Sequence, residues 1–172
     1  GWEGNPDTIV VASDSTFTAA QKDLIRDACN RWNAAGGYPK LKVYDPIGSD
    51  AHIYIKNGLS ISIRAEGTCS VEPSWKEPYS SSTIEIKSGA RSCGLKELVT
   101  HEVGHSLGLN DVDSKACSTD VMKGRGANGS DGELSPHDSA EIRSASEIAS
   151  RRRSKDGLDI IDLLFPQSAL PL

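Results

Sequence analysis

Short runs in which apolar and polar residues alternate predict several strands along the chain. Strands are predicted at 8–12, 41–44, 51–56, 60–64 and 82–87. In 51–56 the apolar residues Ala51, Ile53 and Ile55 alternate with residues that carry polar groups, which is the period of a half-buried strand. The stretch 65–81 is rich in Ser, Pro and Glu and is predicted as an exposed loop.

Helical spacing of apolar residues predicts two helices before the last part of the chain. The first covers 18–35, because Thr18 and Gln21 form a capping box and Gly36-Gly37 ends the apolar repeat. The second begins at Leu95 and runs to Gly108. Residues 110–134 contain many Gly, Asp, Ser and Asn residues and are predicted as irregular loop.

A last helix is predicted after Ser135, which suits the N-cap position. Pro136 follows at the first helical position and Asp138 at the third. The buried stripe of this helix is predicted at Ile142, Ala145, Ile148 and Ala149. The tail, residues 157–172, is apolar and is expected to pack against the body of the protein.

Length and composition indicate an ordinary globular protein. The 172 residues fit a single domain (1–172), and 37% hydrophobic and 25% charged residues are typical values. A formal net charge of −5 gives no support to nucleic-acid binding. No apolar run reaches the roughly eighteen residues that a membrane span needs. We therefore expect no nucleic-acid partner and no membrane partner. We also expect the protein to be a monomer.

The cysteines suggest an exported protein. Their number is even, which favours two disulfides, with free buried thiols as the main alternative. They are 24 or more positions apart, whereas a Cys₄ zinc site needs close pairs. Of the possible pairings we favour Cys69–Cys93 with Cys29–Cys117. Because disulfides are typical of exported proteins, we expect a secreted, extracellular protein. No signal peptide opens the chain, and we expect the signal or pro-segment to be absent from this sequence.

The segment 101–111, His-Glu-Val-Gly-His-Ser-Leu-Gly-Leu-Asn-Asp, carries the clearest functional pattern. His101 and His105 are four positions apart, so both imidazoles lie on one helical face and can reach a single ion. Zinc binds imidazole nitrogens, and catalytic sites use three protein ligands and a water. Glu102 lies beside this pair, where it is expected to hold the water, accept its proton and pass it to the departing amine.

Gly108 and Asp111 extend the pattern. Gly108 follows the second histidine by three positions, and glycine can adopt the positive φ that ends a helix and reverses the chain. Asp111 can then supply the third ligand, from a position that a continuing helix could not bring to the ion. Asp113 is the alternative if Asp111 only forms a turn. The expected cofactor is one catalytic Zn²⁺, and nothing in the sequence supports calcium.

These residues resemble the motif HExxHxxGxx(H/D) of the metzincin clan of zinc endopeptidases, in which the snapalysin group has Asp in the last place. Met122, the only methionine, lies in a segment similar to the Met-turn of snapalysin-like and matrixin-like proteins. The resemblance implies an α/β (α+β) fold with a mixed twisted sheet, a backing helix at 18–35 and an active-site helix. It also implies a cleft between an N-terminal lobe of about 1–108 and a small C-terminal lobe of about 109–172, which contains the Met-turn and the terminal helix.

The same resemblance implies an endopeptidase that cleaves extended protein substrates. Strand 82–87 would be the edge strand that pairs with the peptide, and its candidate contact residues are Ile84, Glu85 and Ile86. Gly124 and Arg125 would line the pocket for the residue after the scissile bond. Astacins and serralysins have a tyrosine just after the Met-turn, but no tyrosine follows Tyr79 here, which excludes a tyrosine ligand from that place.

Two other hypotheses remain open. A gluzincin-type protease would use Glu133 or Glu141 as its third ligand, although Gly108 and Asp111 count against it. A non-catalytic, zinc-stabilised binding module would have a fourth protein ligand and no use for Glu102 as a base. The remaining histidines are interpreted as structural, with His52 on a strand and His137 in the first turn of a helix.

Overall fold

The computed structural model describes residues 2–4, 6–44, 51–58, 67–72, 79–87, 94–112, 120–123 and 132–164, and beyond residue 151 it describes the backbone alone. This part of the chain forms β1 (Thr8–Ser13), α1 (Ala19–Ala34), β2 (Lys40–Tyr44), β3 (Ile53–Asn57), β4 (Gly67–Glu72), β5 (Ser81–Ile86), α2 (Leu95–Ser106) and α3 (Pro136–Leu164). The fold is mixed α/β, as expected. The strand predicted at 60–64 lies outside the described residues, and the division into two lobes stays a prediction.

The strands form one mostly parallel sheet in the order β2-β1-β3-β5-β4. Only β4 runs antiparallel to its neighbour. The prediction that 82–87 is the edge strand is wrong, because Ile84 of β5 pairs with Ile55 on one side and with Cys69 on the other. Strand β4 is the outer strand of the described sheet at that end.

The prediction that 65–81 is an exposed loop is also wrong, both for β4 and for the buried Tyr79. The sequence of β4 is Gly-Thr-Cys-Ser-Val-Glu, in which Val71 is the one buried residue and every second residue is exposed. Outer strands commonly carry polar and charged residues, since they pair on one side and face solvent on the other. Apolar alternation is therefore too weak here to reveal the strand.

One hydrophobic core lies between the sheet and the helices α1 and α2. Its fully buried members include Ile9, Val11, Ile53, Ile55, Ile84 and Ile86 from the strands, Ile25 and Trp32 from α1, and Val99 and Val103 from α2. Burying each such side chain stabilises the fold by about 1.5–3 kcal/mol. The predicted alternation in 51–56 is confirmed, since the three apolar residues are buried and those between them are half-buried.

Helix α1 begins at its predicted cap and supports α2 from behind. The amide of Gln21 donates to Thr18 Oγ1 (3.2 Å), and the amide of Thr18 donates to Gln21 Oε1 (2.8 Å), which confirms the capping box. Further along, the indole N–H of Trp32 donates to the carbonyl oxygen of Thr100 in α2, 2.9 Å away. This bond joins the two helices in the core.

Helix α3 also begins as predicted, but its buried face differs from the prediction. The amide of Asp138 donates to Ser135 Oγ at 3.0 Å, which confirms the N-cap. Ile142 is fully buried, whereas Ile148 is 53% exposed, so its place in the predicted stripe is wrong. Ser146 is buried instead, and its hydroxyl accepts a hydrogen bond from the amide of Tyr38 at 2.8 Å. The helix packs here against the loop that contains Tyr38, and the Ser146 hydroxyl supplies the acceptor for the Tyr38 amide.

The described cysteines are both thiols in this structure. Cys29 is fully buried in α1 and Cys69 is half-buried in β4, and both are free. The favoured bridges Cys69–Cys93 and Cys29–Cys117 each need one of these thiols, so neither bridge is formed in this structure. Cys93 and Cys117 themselves lie outside the described residues. None of the helices in the described part of the chain has the length and apolar character needed to cross a membrane.

Candidate metal centre

Helix α2 ends in a turn that reverses the chain immediately after the second histidine. Gly108 has φ of 90°. Its amide donates to the carbonyl of His105 (2.9 Å), and the amide of Leu109 donates to the carbonyl of Gly104 (3.1 Å). This pair of bonds is the Schellman arrangement, which favours glycine at the left-handed position. The predicted helix break at Gly108 is therefore confirmed.

The turn brings Asp111 back to the two histidines. Its Oδ1 lies 3.3 Å from His101 Nε2 and 3.4 Å from His105 Nε2, and the two Nε2 atoms are 3.1 Å apart. Ligand atoms placed tetrahedrally at about 2.0–2.1 Å from an ion are separated from one another by about 3.3 Å. The three atoms therefore have the mutual spacing of three ligands around one zinc-sized ion.

Hydrogen bonds to backbone carbonyls determine which ring nitrogens can bind a cation. Nδ1 of His101 lies 2.8 Å from the carbonyl oxygen of Val121, and Nδ1 of His105 lies 2.9 Å from that of Leu109. A carbonyl oxygen only accepts, so both Nδ1 atoms carry a proton, and in a neutral ring Nε2 then presents a lone pair. With both rings neutral, two lone pairs and a carboxylate oxygen converge, an arrangement that a bound cation would stabilise.

The ring of His101 is in the form that metals bind. Burial lowers the pKa of His101, although its hydrogen bond to the Val121 carbonyl acts in the opposite direction. The neutral imidazole is therefore favoured at neutral pH, and only the neutral ring has a lone pair for a metal.

Glu102 lies next to these nitrogens in a nearly dry environment. It is 5% exposed, and a carboxylate oxygen of Glu102 lies within 4.8 Å of the ligand atoms of His101 and His105. Together with His101 and His105, Glu102 forms a group that could hold a metal ion. Burial raises the pKa of the Glu102 carboxyl to about 7, and the Asp111 carboxylate adds to the shift. A carboxyl with this pKa can exchange protons near neutral pH.

The segment that contains Met122 lies under α2 and is bound to α3. Met122 is fully buried, and a β-carbon on Gly104 would overlap its sulfur atom. The Asp138 carboxylate accepts from the amides of Val121 (2.8 Å) and Met122 (3.3 Å). Sequence reasoning identified Asp138 as a helix-start residue and missed this second role, because the partners are sixteen and seventeen positions away.

Other predicted site residues lie elsewhere. Ile84 and Ile86 are fully buried in the core, and Glu85 is half-buried on the opposite face of an internal strand. Gly124, Arg125 and Asp113 lie outside the described residues.

The remaining candidate ligands have other partners in the structure. His52 Nδ1 accepts from the amide of Val10 at 3.2 Å. His137 lies 2.6 Å from Asp120 and 3.7 Å from Glu141, and Glu133 lies 2.7 Å from Arg31. None of these side chains belongs to the group at His101 and His105.

No protein-family model matches the chain, and no curated protein matches it significantly.

Proposed function

We propose that this protein is a zinc-dependent endopeptidase whose ion is held by His101, His105 and Asp111. The observation that carries the proposal is the convergence of three acceptor atoms, 3.1–3.4 Å apart, while both imidazole Nδ1–H groups donate to backbone carbonyls. A nitrogen and oxygen donor set with this spacing suits zinc. Zinc bound there would supply Lewis acidity and lower the pKa of water toward neutrality.

Glu102 is the proposed proton carrier. It is nearly buried, and its raised pKa of about 7 suits a group that takes a proton from the attacking water and returns it to the departing amine. Asp111 cannot replace it, because the proposal commits that carboxylate to the metal. The resemblance to metzincins, in which the glutamate of HExxH has this role, supports the same assignment.

An extended peptide is the proposed substrate, and β4 is the strand that would bind it. Strand β4 has one unpaired edge in the described sheet, and its first residue lies against Glu102. The backbone groups at the edge of a sheet can pair with an extended chain, which gives affinity without requiring particular side chains. This replaces β5, whose backbone groups are paired on both sides. The protein proposed here is a secreted monomer that hydrolyses peptides.

The two alternatives receive less support from the geometry. For a gluzincin-type site, Glu133 or Glu141 would have to leave its contact with Arg31 or His137. For a purely structural zinc site, a fourth protein ligand would have to close the coordination. Asp111 is 54% exposed, so solvent reaches this side of the centre.

Zinc content and hydrolysis of an unstructured protein by wild type, Glu102→Gln and Glu141→Gln test the proposal together. We expect one zinc ion per chain in all three proteins and a loss of hydrolysis of ~10²–10⁴-fold in Glu102→Gln alone, since the amide cannot accept the proton. Activity that survives in Glu102→Gln would refute its role. Loss of zinc in Glu141→Gln, or in a parallel Glu133→Gln variant, would support the gluzincin-type site. A wild type that binds zinc but does not hydrolyse would indicate a binding module.

A further inference from the structure

The first residue of β4 lies directly on the side chain of Glu102. A β-carbon placed on Gly67 would be 2.7 Å from Glu102 Oε1, 3.1 Å from Glu102 Cγ and 2.8 Å from Leu98 Cδ1. Non-bonded heavy atoms are best separated by about 3.5–4.0 Å. Any residue larger than glycine at this position would therefore require the carboxylate to move.

A second contact holds β4 at this distance from α2. Cys69 Sγ lies 3.3 Å from the Oγ of Ser106, which is one helical turn beyond Glu102, and 3.5 Å from Ser82 Oγ. Backbone pairing with β5 continues along the whole of β4. Rotating the end of a flexible side chain costs less than separating a paired strand from the helix. A methyl group at position 67 would thus displace the Glu102 carboxylate rather than the strand.

We propose that Gly67 is a positioning residue for Glu102. Because it has no side chain, the edge strand can cover the carboxylate and hold it beside His101 and His105. This inference rests on the proposed function, in which that carboxylate moves the proton. A displacement of roughly 1 Å can cost ~100-fold in rate when the displaced group must meet a reacting atom. The atoms nearest to a β-carbon at position 67 belong to Glu102 and Leu98 and not to the proposed ligands, so we expect metal binding to be retained when this position changes.

The first test compares Gly67→Ala with Thr8→Ala, which removes an exposed side chain from β1, a strand outside the proposed substrate-binding edge. Zinc content, kcat and KM are measured for both variants on one peptide substrate. We expect kcat of Gly67→Ala to fall by ~10–100-fold with KM and zinc content unchanged, and Thr8→Ala to behave as wild type. Equal kcat values for the two variants would overturn the proposal.

A second arm uses Glu102→Ala, which removes both Glu102 atoms that a β-carbon at position 67 would meet, Cγ and Oε1. Gly67→Ala should lower the melting temperature less in this background than in the wild-type background, because the contact with Leu98 is common to both and only the contact with residue 102 differs. An equal decrease in both backgrounds would overturn the proposal. The measurement requires no hydrolysis, so an inactive wild type would count against the proposed function and leave this comparison decisive for Gly67.

Discussion

The ring N–H of His101 donates to the carbonyl oxygen of Val121, 2.8 Å away and twenty positions along the chain. The amide of Val121 in turn donates to the carboxylate of Asp138 at 2.8 Å. The orientation of one candidate ligand therefore depends, through a single residue, on the first turn of α3. Contacts of this kind hold the tautomer and the angle of a metal-binding imidazole.

Asp138→Asn should weaken both the fold and zinc binding. The Asp138 carboxylate is fully buried and accepts from the amides of Val121, Met122 and Ser135. An amide in its place directs an NH₂ group at one or more of these donors, and each buried donor left unpaired costs about 1–3 kcal/mol. We expect denaturant unfolding to show this loss and zinc titration to show an affinity lower by ~10–100-fold.

The matched control for that variant is Asp23→Asn, on the exposed side of α1, where the carboxylate pairs with Arg26. Asp23→Asn should change neither the free energy of unfolding nor the zinc affinity measurably, since exposed ion pairs contribute little to stability. If Asp138→Asn loses stability while zinc affinity stays at the wild-type value, the link from α3 to His101 is absent.

Asp111→Ala should reduce zinc affinity by more than ~100-fold, because loss of an outer contact alone costs about 10–100-fold and this change removes a proposed ligand. Asp111→His should retain zinc, since imidazole is also a good zinc ligand. Asp113→Ala is the control. Competition titration with a chelator measures all three variants, and zinc loss confined to Asp113→Ala would show that the third ligand is assigned to the wrong aspartate.

Gly104→Ala should destabilise the protein although alanine favours helices. The added methyl group would overlap the sulfur of Met122 and lie 3.0 Å from Trp32 Cζ2, and both side chains are fully buried. Overpacking of a core costs about 1–3 kcal/mol, against a gain of roughly 1 kcal/mol in helix propensity.

A double variant tests the cause of that loss. Met122→Ala leaves a cavity that the methyl group at position 104 can partly fill, so Gly104→Ala combined with Met122→Ala should cost less than the sum of the single changes. Denaturant unfolding of the four proteins measures this coupling. If the two single losses of stability simply add in the double variant, the overlap with Met122 is not the cause of the loss in Gly104→Ala.

The contribution of Glu102 to the stability of zinc-free protein should fall as pH rises from about 4.5 toward 7. Burial raises the pKa of Glu102 in the folded state from 4.5 to about 7, so folding favours the protonated carboxyl. The contribution of Glu102 to the free energy of unfolding is fully present below the pKa of the unfolded state. It is lost as pH rises through the pKa of the folded state, by an amount on the order of 3 kcal/mol.

Wild type and Glu102→Gln, unfolded by denaturant in chelator at pH 4, 5, 6 and 7.5, isolate this dependence, because the two proteins differ in this one ionisable group. Wild type should lose stability relative to Glu102→Gln over this range. Saturating zinc should reduce the difference, since a nearby cation lowers the pKa of a carboxyl. Parallel stability curves in chelator would contradict the buried, raised-pKa state of Glu102.

Features that depend on near neighbours were predictable from the sequence. The Thr18–Gln21 capping box, the end of α2 at Gly108 and the N-cap at Ser135 each involve bonds across three to five positions, and the structure has all of them. The pairing of His101 with His105 is of the same kind, because helical geometry alone places positions four apart on one face.

Features that depend on distant partners were decided by the tertiary structure. Strand β4 was missed because an outer strand needs few apolar residues, and Ile148 was misassigned because the buried face of α3 depends on what packs against it. The contacts of Asp138 with Val121 and of Gly67 with Glu102 join residues at least sixteen positions apart. Local propensity carries no information about such pairs, since they meet only after the sheet, α2 and α3 have packed together.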